Sequence, residues 1–208
     1  ARARAAGAIR LIAQIPTVVA HLFRIRRGKT LLSPDPHINM AANILYMFHG
    51  RMPSEDHVRA MDQLLLLHAD HGMNASTFAA RVTASTHADM HAAVTSAIGT
   101  LKGPLHGGAN ERVMKMLKEI NNVDEVDEYI ESMLAQGLRV MGFGHRVYKT
   151  YDPRARIAKK TCRELLDHLG VSRDPLLEMA MELEEKCLAD SYFQDRNLYP
   201  NVDYYTGI

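Results

Sequence analysis

The chain has 208 residues, 47% hydrophobic and 24% charged, enough for one or two folded domains and unlike a disordered segment. Lys and Arg number 25 against 24 Asp and Glu, so no overall field points to nucleic acid or an anionic membrane surface. Two cysteines, Cys162 and Cys187, exclude a disulfide framework and a four-thiolate zinc site. They fit a reduced, cytoplasmic or organelle-matrix setting.

In chain order, residues 4–25 are apolar on a helical period, with a break or kink expected at Pro16. No apolar run reaches the roughly 18–20 residues of a membrane span. The opening Ala1-Arg2-Ala3-Arg4, with Gln14 and Pro16 soon after, is unlike a secretory signal. Without an initiator Met, the chain reads as the interior of a longer one. Arg24, Arg26, Arg27 and Lys29 form a basic patch around Gly28, expected as a solvated helix end; phosphate contact is the alternative. Ser33-Pro34-Asp35-Pro36 is a turn, and a helix over about 37–49 should stop at Gly50. Ser54 should cap the next, which passes through Leu64–Leu67 to Gly72 and is expected to be central in the fold. One long helix is expected over about 75–101, ended by Gly103-Pro104-Leu105-His106-Gly107-Gly108.

Beyond that turn, helices are expected over about 109–120 and 123–136, the latter stopped by Gly137. A Gly-rich loop, 141–146, comes next. Asp152-Pro153 and Asp174-Pro175 each pair a cap with a first-position proline, opening helices to about 169 and 191. The tail from Asp195 onward reads as loop. The chain is therefore all-α, dividing near residue 105.

Eleven histidines are many for this length. His106 and His145 sit in glycine-bearing loops, where the backbone bends tightly and a ligand can approach; two solvated turn histidines are the plain alternative. His68 and His71 share one helix face, but no third ligand is evident and no metal site is expected. His87 and His91, four apart, are assigned to packing or surface. Cys162 and Cys187 lie in amphipathic helices as inert thiols. Asp203 stands among Tyr199, Pro200 and Val202, where partial burial would raise a carboxylate toward general-base range; a helix cap is the equal alternative.

Four stretches together resemble citrate synthase: Leu67-His68-Ala69-Asp70-His71-Gly72, the run Lys102–Glu111, the run Gly142–Arg154, and Tyr199-Pro200-Asn201-Val202-Asp203. They occur in that family's order. The resemblance implies an all-α enzyme that condenses acetyl-CoA with oxaloacetate and hydrolyses the citryl-CoA formed. It implies Asp203 as the base, His106 as donor to the enol or enolate, and His145 as the group polarising the oxaloacetate carbonyl. His71, His145 and Arg154 match oxaloacetate-binding positions. Val140, Met141, Gly142, Phe143 and Gly144 match the loop around the CoA adenine, and Lys149 a basic position near CoA phosphates. It further implies a homodimer with no metal or other cofactor and no nucleic-acid or membrane partner. Residues 1–105 would be helices of a large domain and 106–208 a small domain, with the family's N- and C-terminal parts outside the chain. 2-Methylcitrate synthase, acting on propionyl-CoA, and a non-catalytic CoA- or dicarboxylate-binding subunit are the alternatives.

Overall fold

The structure, a computed structural model, describes residues 2–69, 72–171 and 173–208. Among them the only β pairing is the isolated bridge Phe143–Pro200, so the fold is all-α. Contacts divide the chain into two units, Ala1–Ile98 and Gly99–Ile208.

In the first unit, α1 (Arg2–Arg26) is continuous, with Pro16 inside it rather than at a break. Proline removes one backbone donor, and a 25-residue helix keeps enough turns on either side to persist through that loss. The segment Arg4–Arg26, at mean hydropathy 1.4, is also long and apolar enough to cross a membrane by length and composition, contrary to the sequence expectation. Hydropathy averaged along a helix tolerates the single polar residues that interrupt a run. The same property marks core helices of soluble proteins.

Gly28 (φ 62°) ends α1: its N–H bonds Ile25 O and that of Lys29 bonds Arg24 O, a Schellman pair. Arg24 corrects the expectation of a solvated basic patch. It is buried, and its Nη1 donates to Met47 O (3.1 Å) and Phe48 O (3.3 Å), the terminal carbonyls of α2 (Met40–His49). A cation at a helix C-terminus meets both its orphan acceptors and its dipole. Asn39 caps α2, and Gly50 (φ 78°) closes it.

In α3 (Glu55–Ala69) only Leu67 is buried, while Leu66 is 64% exposed, so the leucine run does not form this unit's core. The expected 75–101 helix is two, α4 (Ala75–Ser85) and α5 (Met90–Leu101). Hydroxyls compete for backbone carbonyls at the break: Ser85 Oγ bonds Val82 O (2.7 Å) and Thr86 Oγ1 bonds Thr83 O (2.7 Å). His87 takes φ 64°, and Asp89 then accepts from Ala92 N (3.0 Å) to start α5. His87 and His91 are exposed and do not share a helix.

In the second unit, α6 (Ala109–Glu119) buries Val113, Met116 and Leu117, one stripe at i, i+3, i+4. A 3-10 turn, Val123–Glu125, leads into α7 (Val126–Ala135), and Gly137 (φ 66°) turns the chain. Asp152 caps α8 (Pro153–His168) and Asp174 caps α9 (Pro175–Ala189), each with proline in the first turn. The central element is α9. It buries Leu177, Ala180, Leu183 and Cys187 and packs on α6 and α7. Each large apolar side chain so buried contributes about 1.5–3 kcal/mol.

The tail is not all loop. A short helix, α10 (Ser191–Asp195), ends where the tail begins, and the tail itself holds the one-turn α11 (Asp203–Thr206), which packs on α6 and α8. Tyr204 and Tyr205 are fully buried there, and their packing, rather than helix propensity, holds so short a turn.

Candidate functional site

The second unit joins two of the sequence motifs through their backbones. Gly144 N donates to Tyr199 O (2.8 Å) and Asn201 N to Gly142 O (2.8 Å), which sets Phe143 opposite Pro200. In such a non-hydrogen-bonded antiparallel pair, Phe143's own N–H and C=O point away from the partner segment. Asn201 adds side-chain bonds to both sides, donating from Nδ2 to Gly144 O (2.8 Å) and accepting from Asp203 N at Oδ1 (3.0 Å). Asp203 is half-buried and begins α11, so the carboxylate lies in the first turn of a helix rather than at its cap, which is Val202.

Glycine is required at 142 and 144. Both have φ above 80°, and a Cβ on Gly142 would lie 2.7 Å from Tyr204 Cδ2 and 2.9 Å from Val113 Cγ2. The neighbours Val140 and Gly142 are buried, Met141 N contacts Met116 Sδ (3.3 Å), and the Phe143 ring packs edge-on against Phe193 and Tyr204.

His145 follows, and its hydrogen bonds fix its tautomer. Nδ1 accepts from Val147 N (3.1 Å) and Tyr148 N (3.2 Å). A ring nitrogen facing two N–H donors carries no proton, so the neutral ring is protonated at Nε2. That Nε2–H lies 3.4 Å from Arg154 Nη2, and the His145 ring packs on Tyr148 at 4.8 Å. The two nitrogens stand close enough for one negatively charged oxygen to reach both. Arg154 is 7% exposed and is gripped by Asp152, with Nε to Oδ1 at 3.1 Å and Nη2 to Oδ2 at 2.8 Å.

His106 is half-buried in the turn before α6, its N–H bonded to Gly103 O (3.0 Å). The N-terminal half of α6, through Asn110 and Met114, packs on Gly207 at the end of α11. Lys149 is exposed and lines a cleft of about 540 Å³ with Val140, Phe143, Gly144 and His145. Arg139, Arg146 and Arg196 line the same cleft, and Arg196 lies 4.0 Å over the Tyr192 ring. His71 lies outside the described residues. Among the described residues no cluster of three metal-ligating side chains occurs. Cys162 is pushed up to about 11 by burial and then by the charge of Asp174; burial drives Cys187 higher still. Neither is a ready nucleophile.

Two features of this site are not marked by local sequence patterns. The Asp152-Pro153 pair signals only a helix start, though Arg two residues later is a signal for an ion pair. The cations 139, 146 and 196 flank the glycine loop at separations that no spacing rule connects.

The family described as Citrate synthase, C-terminal domain, matches residues 1–208. The chain belongs to the citrate synthase family. It is 48% identical to the citrate synthase of Synechocystis sp. over 203 residues, covering 98% of this chain and 50% of that protein. It is 46% identical to that of Corynebacterium glutamicum over 210 residues, covering 96% and 47%. The chain thus spans about half the length of the curated relatives it matches. Among solved structures it resembles citrate synthase from Pyrobaculum aerophilum, with TM-score 0.88 and 45% identity over 95% of this chain and 49% of that one. It also resembles the Thermoplasma acidophilum citrate synthase in ternary complex with carboxymethyl coenzyme A and oxaloacetate, with TM-score 0.85 and 35% identity over 93% of this chain and 50% of that one.

Proposed function

We propose that the protein carrying this chain is a citrate synthase in activity: acetyl-CoA, oxaloacetate and water give citrate and CoA. The observation that carries this reading is the approach of Arg154 Nη2 to within 3.4 Å of His145 Nε2. Arg154 takes a carboxylate of oxaloacetate, and His145 donates to its carbonyl oxygen, making the carbonyl carbon electrophilic. Asp203 removes a proton from the acetyl methyl while His106 donates to the thioester oxygen, so that charge develops against a donor rather than in water. The new carbon–carbon bond leaves an alkoxide that takes its proton from His145. Water then attacks the thioester and CoA leaves as the thiol.

The cleft beside the glycine loop is the proposed CoA seat. Its volume is in the range of ligand sites. Arg139, Arg146, Lys149 and Arg196 offer charge to phosphates, and the outward N–H and C=O of Phe143 offer an edge to adenine. The same reading makes the protein a homodimer of the cytoplasm or an organelle matrix, serving the tricarboxylic acid cycle. The exposed apolar residues of α1, such as Ile12, Val18 and Ile25, support a partner surface.

Steady-state release of CoA by the complete protein tests the activity, with citrate identified as product. A higher kcat/KM for acetyl-CoA than for propionyl-CoA is expected. The reverse ratio assigns methylcitrate chemistry, and no turnover with either overturns the reading.

A further inference from the structure

We propose that Asp152 is a positioning residue that sets Arg154 and the Asp203 segment in one register, an inference that rests on the function proposed above. Its carboxylate is 1% exposed and serves both sides of the site. Oδ1 accepts from Arg154 N (2.9 Å) and Arg154 Nε (3.1 Å). Oδ2 accepts from Arg154 Nη2 (2.8 Å) and Val202 N (3.1 Å). The Asp152 N–H in turn donates to Pro200 O (3.4 Å).

A helix cap needs far less. Asp174 and Asp190 cap α9 and α10 by accepting from Leu177 N (2.9 Å) and Tyr192 N (2.7 Å). Asp152 does the equivalent for α8 with Oδ1 and adds three bonds that no cap requires. Two of these lock the rotation of the guanidinium, so that Nη2 lies between Asp152 Oδ2 and His145 Nε2. The third reaches the residue before Asp203. The Arg154 head and the Asp203 backbone are therefore referenced to a single buried carboxylate, across 50 residues of sequence. Charged acceptors make strong, short bonds, and a buried one without its donors is heavily penalised. Any movement of either segment strains the other.

In Asp152→Asn, one oxygen becomes an NH2. Each oxygen faces two N–H donors, so either amide orientation sets donor against donor. Misplacement of reacting groups by about an ångström costs up to about 100-fold. The oxaloacetate KM should rise about 10-fold or more, and solvent exchange of acetyl-CoA methyl protons should fall by a similar factor. That exchange is measured with a saturating 2-hydroxydicarboxylate in place of oxaloacetate. Replacing Val202 by its α-hydroxy acid, which turns the backbone N–H into an ester oxygen, tests the second arm alone: the side chain stays and the bond donated to Asp152 Oδ2 is lost. It should lower exchange while leaving the oxaloacetate KM within about twofold of wild type.

Both variants are assayed in the complete protein, well below their melting temperatures. A cap alone would lower Tm and leave KM and exchange untouched. If Asp152→Asn does so, the inference is overturned; if Asp152→Asn does not fold, unchanged exchange in the Val202 ester variant overturns it. Wild-type protein that forms no citrate overturns the proposed function instead, so the two failures are distinct.

Discussion

Phe143 and Pro200 face each other in the single antiparallel bridge among the described residues, and that pairing puts the segment before His145 beside the segment before Asp203. The two are 57 residues apart at the side-chain bond from Asn201 to Gly144 O. The juncture depends on a backbone that only glycine adopts freely.

Gly142→Ala should therefore be severely destabilising. Gly142 has φ 81°, and the added methyl would meet Tyr204 Cα at 3.0 Å as well as two side chains. Left-handed strain of about 1–2 kcal/mol adds to overpacking of about 1–3 kcal/mol. Gly170→Ala is the control: φ is 67°, but nothing lies within 4 Å, so only the strain remains. Chemical denaturation of both should show a larger loss for Gly142→Ala. Equal losses would mean that the loop yields at no cost.

Much of the fold is legible in local chemistry. The Asp-Pro pairs at 152 and 174 mark helix starts because an acceptor and a preset φ serve the same first turn, and both helices begin there. Where tertiary contacts decide, the sequence misleads. Arg24 looks like one of four surface cations, yet it is the one that meets the end of α2. The α4–α5 break depends on hydroxyls that serve equally well on a helix surface. α11 is too short to carry a periodic signal, and only the burial of Tyr204 and Tyr205 produces it. In the site, the glycine loop singles out His145 and the family resemblance supplies Arg154, and the two do meet. Asp152's bond to Val202 leaves no local mark.

Alkaline stability should be governed by the tyrosines around Glu184. This buried carboxylate accepts from Tyr151 (2.5 Å), from Tyr205 and from Lys159 Nζ (2.6 Å). Burial, then the neighbouring Glu184, raises Tyr151 and Tyr205 well above the ordinary phenol value, and burial raises Tyr204 likewise. A raised folded pKa means that the unfolded state loses these protons first. Stability is thus fully present below about pH 10 and declines as pH rises beyond it. Denaturant midpoints from pH 8 to 11 should fall only above pH 10, with less decline in Tyr205→Phe. A midpoint flat to pH 11 would contradict the assignment.

The thiols should be quiet. With Cys162 raised to about 11 and Cys187 higher, almost no thiolate exists near neutrality, and Cys187 is buried as well. Reaction with an aromatic disulfide at pH 8 should be slow in the folded protein and rapid after denaturation. Both cysteines titrating at once in the native state would show that α8 and α9 open readily.

Asp203→Asn and Arg154→Leu separate chemistry from binding. Asp203→Asn keeps size and hydrogen-bonding shape but removes the proposed base, so substrates should bind while methyl deprotonation fails. Loss of a positioned general base costs about 10²–10⁴ in rate. Hydrolysis of supplied citryl-CoA should suffer less than its formation, because that substrate bypasses the first proton transfer. Arg154→Leu removes the buried guanidinium and leaves Asp152 buried without its partner, so it should chiefly weaken oxaloacetate binding and also lower Tm. Steady-state kinetics with both variants, and methyl-proton exchange for Asp203→Asn, measure the split. Near-normal exchange in Asp203→Asn would leave its carboxylate as no more than a first-turn charge on α11, and the proposed mechanism would fail at its first step.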